Sequence, residues 1–230
     1  MKHYAIIVAG GSGNRMQSTI PKQFLLLDGK PVLMHTITAF NECIYKPQIL
    51  LVLNIDQHKY WEELCLKYNF QIPHQVIKGG TQRYHSVKNG LKAIKGKGIV
   101  AVHDAVRPLI SAKLISQSYK VAQETSNCII GITPTDSVRS VQEDGKSEAL
   151  SREKLALIQT PQTFEVEMLK KAYQIPYRNE FTDDASVAEY AGYKINLIAG
   201  ERENIKITYP EDLEIASIFI KKTKRPVNPT

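Results

Sequence analysis

"VAGGSGNRMQSTIPKQFLLL", residues 8–27, follows a short apolar run and decides how the rest of the chain is interpreted. The stretch holds three glycines and two cations, namely Gly10, Gly11, Gly13, Arg15 and Lys22. Glycines let a backbone turn tightly and bring its N–H groups close to a ligand. Arginine clamps phosphate oxygens with paired hydrogen bonds, and lysine adds a point charge. The stretch therefore predicts a phosphate-binding loop at the end of a first strand.

Two common nucleotide-binding loops do not match this stretch. The dinucleotide pattern G-x-G-x-x-G requires a glycine where the chain has Met16, and the pattern G-x-x-x-x-G-K-[ST] is absent. What remains is G-G-x-G-x-R followed by Pro21 and Lys22. A tight strand-to-helix turn with incidental cations is the alternative interpretation, and the added lysine favours a triphosphate site over it.

Apolar, β-branched runs alternate with segments of helical spacing along the chain. The predicted strands are residues 4–9, 48–54, 70–77, 98–104 and 128–134. Between them, apolar residues recur at helical spacing, at Leu33, Ile37 and Phe40 and again at Tyr84, Val87, Leu91 and Ile94. Repeated strand–helix units predict an α/β fold of three layers with a mostly parallel sheet. Ligands of such sheets bind beyond the carboxyl ends of the strands, where the glycine loop falls.

Residues 135–156 interrupt this alternation. The segment "SVRSVQEDGKSEAL" alternates polar and apolar residues about an "EDGK" turn, which predicts a β-hairpin that projects from the domain as an arm. Weaker strand patterns follow at 194–199 and 203–208, and a final helix is predicted from Tyr209 onward.

The composition excludes several classes of protein. With 230 residues, 43% of them hydrophobic, we expect a single domain, 1–230. No apolar run approaches the eighteen or so residues of a membrane span and no signal peptide opens the chain, which favours a cytoplasmic protein with no membrane partner. The three cysteines are widely spaced, which argues against a disulfide framework or a zinc site.

The net charge of +7 permits a polyanionic partner, either a nucleic acid or a phosphorylated small molecule. The basic residues are scattered apart from "KKTKR" at 221–225. No recognition helix, zinc-finger spacing or aromatic-rich RNA-binding signature is present, so no nucleic-acid partner is expected.

Two further loops carry candidate site residues. In "KGGTQRYHSVKNGL" (78–91), Gly80 allows close backbone approach, and Arg83 and Ser86 offer donors to a base or ribose. The alternative is a plain loop before a helix that Thr81 caps. In "VHDAVRP" (102–108), Asp104 could coordinate Mg²⁺ or bind hydroxyl groups, and the alternative is a structural ion pair with Arg107.

Weaker candidates lie further along the chain. Thr160 and Lys206 could bind a second phosphate, whereas Thr182 and Asp183 could equally form a helix N-cap. His103 is assigned no role, because a lone histidine at a strand end is more often structural. No Ser-His-Asp or Cys-His set accompanies these residues.

Taken together, the segments "AGGSGNRM…PKQF", "GGTQRYHSV", "HDAVRP", "TPQTF", "TDDASVAE" and "NIKIT…PEDL" span most of the chain in one order. The chain resembles the 2-C-methyl-D-erythritol 4-phosphate cytidylyltransferases of the non-mevalonate isoprenoid pathway. The resemblance implies a Rossmann-like nucleotidyltransferase that joins CTP to the erythritol phosphate, releases pyrophosphate and uses Mg²⁺. It also implies a homodimer whose arms interlock, with Arg152 reaching the neighbour's active site.

The resemblance assigns roles residue by residue. Arg15 and Lys22 match transition-state stabilisers, and Arg152 and Lys206 match residues that position the acceptor phosphate. The cytidine nucleotide is expected against Ala9, Gly10, Gly11, Gly13, Gly80, Arg83, Ser86 and Asp104. The acceptor, ribose or metal is expected around Asp104, Ala105, Arg107, Ser137, Thr160 and Thr182. No residue is a certain metal ligand, because Mg²⁺ is expected mainly on the CTP phosphates.

Two departures from the family pattern are visible. Ser137 stands where a threonine is familiar, which preserves the hydroxyl group, and Thr81 replaces a familiar acidic residue near the base. Ribitol 5-phosphate cytidylyltransferase is the nearest alternative, although "TDDASVAEYAG" and "GERENIKIT" look more like the erythritol branch.

Overall fold

The computed structural model describes residues 1–9 and 20–223. Its strands, in chain order, are β1 His3–Val8, β2 Leu26–Leu27, β3 Lys30–Pro31, β4 Gln48–Leu53, β5 Gln75–Lys78, β6 Ile99–Asp104, β7 Asn127–Ile132, β8 Val138–Val141, β9 Ser147–Leu150, β10 Leu157–Glu165 and β11 Leu197–Ala199. Its helices are α1 Val32–Glu42, α2 His58–Lys67, α3 Arg83–Ala93, α4 Ala112–Thr125, α5 Val166–Ala172, α6 Asp184–Tyr190 and α7 Pro210–Thr223.

Seven of these strands form one sheet in the order β11-β7-β10-β6-β1-β4-β5. Strand β1 pairs in parallel with β4 and β6, and β11 pairs in parallel with β7. Strand β10 runs antiparallel between β6 and β7. The α/β fold with a mostly parallel sheet is therefore confirmed, with one reversed strand in its centre.

Strand β10 is a central strand that the sequence pattern does not reveal. Its residues are mostly polar, and Pro161 lies in the middle of the strand. Proline cannot donate a ladder hydrogen bond, so it argues against a central strand. The register on β7 shifts between Gln159 and Gln162, and this irregularity accommodates the proline.

Two apolar layers cover the faces of the sheet. Alternate side chains of β1 point to opposite faces: Ala5 and Ile7 pack in the layer with α1, α2 and α4, and Tyr4 and Ile6 pack in the layer with α3, α5 and α6. A smaller cluster lies under α7, where Ala216 is buried. The fully buried strands explain the continuous apolar runs of the sequence.

Three local predictions need correction. The strand expected at 70–77 covers only Gln75–Lys78, because Pro73 interrupts the segment before it. The segment 203–208 is not a strand. Thr81 does not cap α3, since Gln82 occupies the N-cap position and the Thr81 hydroxyl contacts His85 instead.

Other local predictions are confirmed. Strands β8 and β9 form the expected hairpin, a separate two-stranded sheet whose residues 139–150 are all exposed. Asp183 caps α6 and forms a capping box with Ser186, in agreement with the N-cap alternative. The final helix is α7. Among the described residues, none of the helices combines the length and apolar character needed to cross a bilayer.

Candidate active site

A buried carboxylate surrounded by cations lies at the carboxyl end of the central strands. Asp104 ends β6 and is 8% exposed. Its Oδ2 lies 2.8 Å from Lys206 Nζ and 3.8 Å from Arg107 Nε, and its Oδ1 lies 3.3 Å from Arg83 Nε. Burial by itself would raise the pKa of Asp104, but the three cations outweigh it and hold the pKa well below its usual range. The carboxylate is therefore ionised at neutral pH.

Arg83 is held by a second carboxylate that the sequence analysis did not single out. Asp184, the fully buried first residue of α6, accepts a hydrogen bond from Arg83 Nη2 at 2.7 Å and one from the Tyr173 hydroxyl at 2.6 Å. Burial lowers the pKa of Arg83, but Asp184 and Asp104 raise it well above its usual value. The sequence did contain a signal for Asp184, namely two adjacent aspartates where a helix begins. Only one of them can be the N-cap, so the other carboxylate needs a different partner.

The loop before α3 is compact and built around a glycine. The Gly80 N–H donates to Ser86 Oγ at 3.0 Å. A Cβ at Gly80 would lie 2.3 Å from the Cβ of His85, so no other residue fits without a shift of the loop. The structure thus places Arg83 beside Asp104, whereas Ser86 is buried and its hydroxyl holds the Gly80 N–H.

The ends of β1 and β6 lie side by side. The Ala105 N–H donates to the carbonyl oxygen of Val8, and the Ala9 carbonyl accepts from Gln23 Nε2 at 3.0 Å. Gly10, Gly11, Gly13 and Arg15 lie outside the described residues. Lys22 is 9% exposed, and its Nζ donates to the carbonyl oxygen of Ile207 at 3.1 Å. This bond joins the end of the glycine loop to the segment that carries Lys206.

The remaining predicted residues are not all brought to this cluster. Thr160 is 5% exposed, and its hydroxyl bonds His103 Nδ1 and the Asp104 N–H rather than facing a ligand. Ser137 and Thr182 are exposed. Arg152 is also exposed and donates from Nη1 to the Thr135 carbonyl at 2.6 Å, at the base of the arm.

Comparison with known proteins identifies the family. The family model of 2-C-methyl-D-erythritol 4-phosphate cytidylyltransferase matches residues 3–222. The protein of that name from Phocaeicola vulgatus is 49% identical over 220 residues, which cover 96% of this chain and 100% of the relative. The chain belongs to the 2-C-methyl-D-erythritol 4-phosphate cytidylyltransferase family. The same name is carried by a protein of Clostridium kluyveri that is 37% identical over 96% of this chain and 98% of its own.

Solved structures agree with this family assignment. The 4-diphosphocytidyl-2C-methyl-D-erythritol synthase of Anaerococcus prevotii superposes with a TM-score of 0.83 at 27% identity and covers 96% of both chains. The cytidylyltransferase of Francisella tularensis gives a TM-score of 0.78 at 31% identity, over 95% of this chain and 99% of its own. The fold is therefore that of a nucleotidyltransferase enzyme, as the sequence motifs predict.

The geometry suits a cytidylyltransferase. Such a reaction brings together two phosphate-bearing molecules, and three cations around one carboxylate are able to offset such repulsion. In the described part of the chain, no group of three or more histidine, cysteine or acidic side chains is arranged to hold a metal. Asp104 is a hard oxygen donor, and a single carboxylate together with substrate phosphates is a common ligand set for Mg²⁺.

Proposed function

We propose that this site transfers the cytidylyl group of CTP to 2-C-methyl-D-erythritol 4-phosphate, giving 4-diphosphocytidyl-2-C-methyl-D-erythritol and pyrophosphate. The observation that carries the proposal is the Asp104 carboxylate with Arg83, Arg107 and Lys206 around it at the sheet edge. The family membership supports it, because the relatives carry this activity in their names.

The two substrates bind on opposite sides of Asp104 in this proposal. Ala9, the glycine loop, Gly80, Arg83 and Ser86 bind the cytidine nucleotide. Ala105, Arg107 and Lys206 face the acceptor, with Thr182 at the margin. The second carboxylate, Asp184, fixes the Arg83 guanidinium so that its remaining donors point at the nucleotide.

The bond changes need no protein nucleophile. An oxygen of the acceptor phosphate attacks the α-phosphorus of CTP, the bond to the β-phosphate oxygen breaks, and pyrophosphate leaves with the electron pair. The acceptor oxygen is already anionic, so the protein contributes positioning and charge stabilisation. Lys22 and Arg15 are assigned to the charge that develops at the α-phosphoryl group.

Mg²⁺ is the cofactor in this proposal. Asp104 would hold it together with the CTP phosphates, and the ion would supply a Lewis acid that neutralises phosphate charge. The Lys206 ammonium, which now pairs with Asp104 Oδ2, is 40% exposed and therefore able to move to the acceptor phosphate.

We also propose that the chain works as a homodimer of single-domain protomers, 1–230, with the hairpin at about 135–156 as the dimerisation arm. A two-stranded hairpin is marginal in water and needs a surface to pack against. Its Val141 is 70% exposed, and Leu157 and Leu197 beside the arm are 55% and 51% exposed. In the dimer, Arg152 and Ser137 would reach the partner's acceptor site.

We propose that the reaction takes place in the cytoplasm. Cys43, Cys65 and Cys128 are free, which suits a reducing compartment.

A direct assay tests the proposed function. Purified protein is mixed with CTP, Mg²⁺ and either 2-C-methyl-D-erythritol 4-phosphate or ribitol 5-phosphate, and pyrophosphate release is followed. We expect release only with CTP and the erythritol phosphate together. Turnover of ribitol 5-phosphate without turnover of the erythritol phosphate would move the chain to the sister family.

A further inference from the structure

His103 is a fully buried histidine directly before Asp104, and the reaction described above gives it no task. Its Nε2 lies 3.2 Å from the carbonyl oxygen of Arg107, and its Nδ1 lies 3.0 Å from Thr160 Oγ1. Its ring packs against Phe40 at 5.1 Å between centroids. Both ring nitrogens are thus used, and both contacts lead to residues around Asp104.

The chemistry of the partners determines each hydrogen-bond direction. A carbonyl oxygen only accepts, so Nε2 carries the proton and donates to Arg107. The Nδ1 of that neutral ring accepts, so the Thr160 hydroxyl donates to it. The lone pairs of Thr160 Oγ1 are then free to accept from the Asp104 N–H, at 3.0 Å. The resulting chain of donors runs from the Asp104 backbone through Thr160 and His103 to Arg107.

This chain closes into a ring. Arg107 Nη1 donates to the Asn204 carbonyl at 2.8 Å, and Asn204 Nδ2 donates to the Thr160 carbonyl at 2.9 Å. The ring therefore ties the end of β6 and the middle of β10 to the segment that carries Asn204 and Lys206. Lys206 Nζ lies 2.8 Å from Asp104 Oδ2, so the ring of hydrogen bonds supports both the carboxylate and the cation that pairs with it.

We propose that His103 is a positioning residue: through Thr160 and Arg107 it holds Asp104 and Lys206 in the arrangement that the acceptor phosphate requires. The proposal rests on the proposed function, because it concerns the geometry of that site. A purely structural histidine would contribute to folding and leave the ratio of the kinetic constants unchanged.

Two substitutions of His103 test its two hydrogen bonds separately. In His103→Asn, the amide oxygen can take the place of Nδ1 and accept from Thr160, but the bond to Arg107 is lost. In His103→Gln, the longer amide can donate to Arg107, but Thr160 loses its acceptor. Because Thr160 contacts the Asp104 N–H directly, His103→Gln should be the more damaging change.

Thr160→Val removes the hydroxyl with little change of shape, and Thr160→Ser retains it. Thr163→Val is the matched control, since Thr163 lies on the same strand, is fully buried and donates only to Ser118 Oγ at 3.1 Å, away from the ring. All variants are first checked for folding by thermal unfolding and for active concentration by CTP binding.

We expect Thr160→Val and His103→Gln to raise KM for the acceptor and lower kcat, with a loss of about 10- to 100-fold in kcat/KM. The KM for CTP should rise less than the KM for the acceptor, because Asp184 still holds Arg83. Thr160→Ser should restore most of the activity, and Thr163→Val should retain it. Unchanged kinetic constants in folded Thr160→Val and His103→Gln, or an equal loss in Thr163→Val, would overturn the proposal.

A second readout does not depend on turnover. Amide hydrogen exchange followed by NMR should show that Asp104 loses protection in Thr160→Val while Val100, in the same strand, retains it. Failure of the wild-type protein to turn over would contradict the proposed function, and unchanged protection of Asp104 would contradict the positioning role.

Discussion

Lys22 illustrates how one charge contributes to the site. Its ammonium is nearly buried and held at the Ile207 carbonyl, so it is already ordered before any ligand binds. We expect Lys22→Ala to lower kcat about a hundredfold or more and to change KM for CTP less, because its charge meets density that develops at the α-phosphoryl group. Steady-state kinetics checks this. Lys97→Ala, which removes an exposed lysine that pairs with Glu167, is the control and should leave kcat unchanged.

His103 also predicts how stability depends on pH. Burial lowers its pKa from 6.5 to about 4, so the folded protein holds the ring neutral where the unfolded chain binds a proton. Between pH 6.5 and 4 the unfolded state binds more protons, so the free energy of unfolding should fall as the pH falls, by up to ~3 kcal/mol from this group. Denaturant unfolding across this range measures it. In His103→Asn, the dependence of the free energy of unfolding on pH should be weaker, corresponding to about one fewer proton bound on unfolding. Equal pH dependence in the two proteins would contradict the pKa shift.

At the scale of elements, the N-terminus of the short helix α6 connects helix capping to the candidate site. Asp183 Oδ1 accepts from the Ser186 N–H at 2.8 Å, and Asp183 Oδ2 accepts from Gln162 Nε2 at 2.7 Å. The next residue, Asp184, is the carboxylate that holds Arg83. The cap therefore links helix stability to the nucleotide side of the site.

We expect Asp183→Ala to lower the free energy of unfolding by about 1–2 kcal/mol and to raise KM for CTP several-fold, because α6 frays at the end that carries Asp184. Denaturant unfolding and CTP titrations measure the two effects. Asp183→Asn, which retains a capping oxygen, should lose less than half as much stability. Glu189→Ala changes an exposed residue of the same helix and should be nearly neutral.

At the scale of the whole molecule, the open question is whether a site is completed within one chain or between two. The Arg152 guanidinium donates to the Thr135 carbonyl, at the base of an arm that is exposed over residues 139–150. A shared site explains an exposed arginine at the base of such an arm.

Mixed dimers of Lys22→Ala and Arg152→Ala protomers test this arrangement. After joint unfolding and refolding, half of the dimers are mixed, and each mixed dimer has one intact site if Arg152 acts in the partner. About a quarter of wild-type activity should then return. If mass spectrometry verifies mixed dimers and activity does not return, Arg152 acts within its own chain, and the shared-site proposal is wrong.

Much of the fold follows from local patterns in the sequence. The apolar runs of β1, β4, β6 and β7 mark the central strands because those strands are buried on both faces. The arm is predicted from a different signal, because its alternating polar and apolar residues flank a turn. Its two strands, β8 and β9, pair with each other and need no distant strand. The motifs single out Arg83, Asp104, Arg107 and Lys206 because phosphate chemistry needs such residue types, and the structure brings the three cations to the Asp104 carboxylate.

Other features were decided only by tertiary structure. The polar, proline-containing β10 becomes a central strand because β6 and β7 supply partners on both sides, which outweighs its weak local preference for strand. Asp184 is distant in sequence from Arg83, which it holds, and Thr160 is distant from His103, to which it bonds. No local sequence pattern encodes such contacts. The sequence by itself determined the kind of chemistry and most of the strands. Tertiary packing decided which polar side chains gather around Asp104 and which side chains hold them in place, because burial and hydrogen-bond partners exist only once distant segments meet.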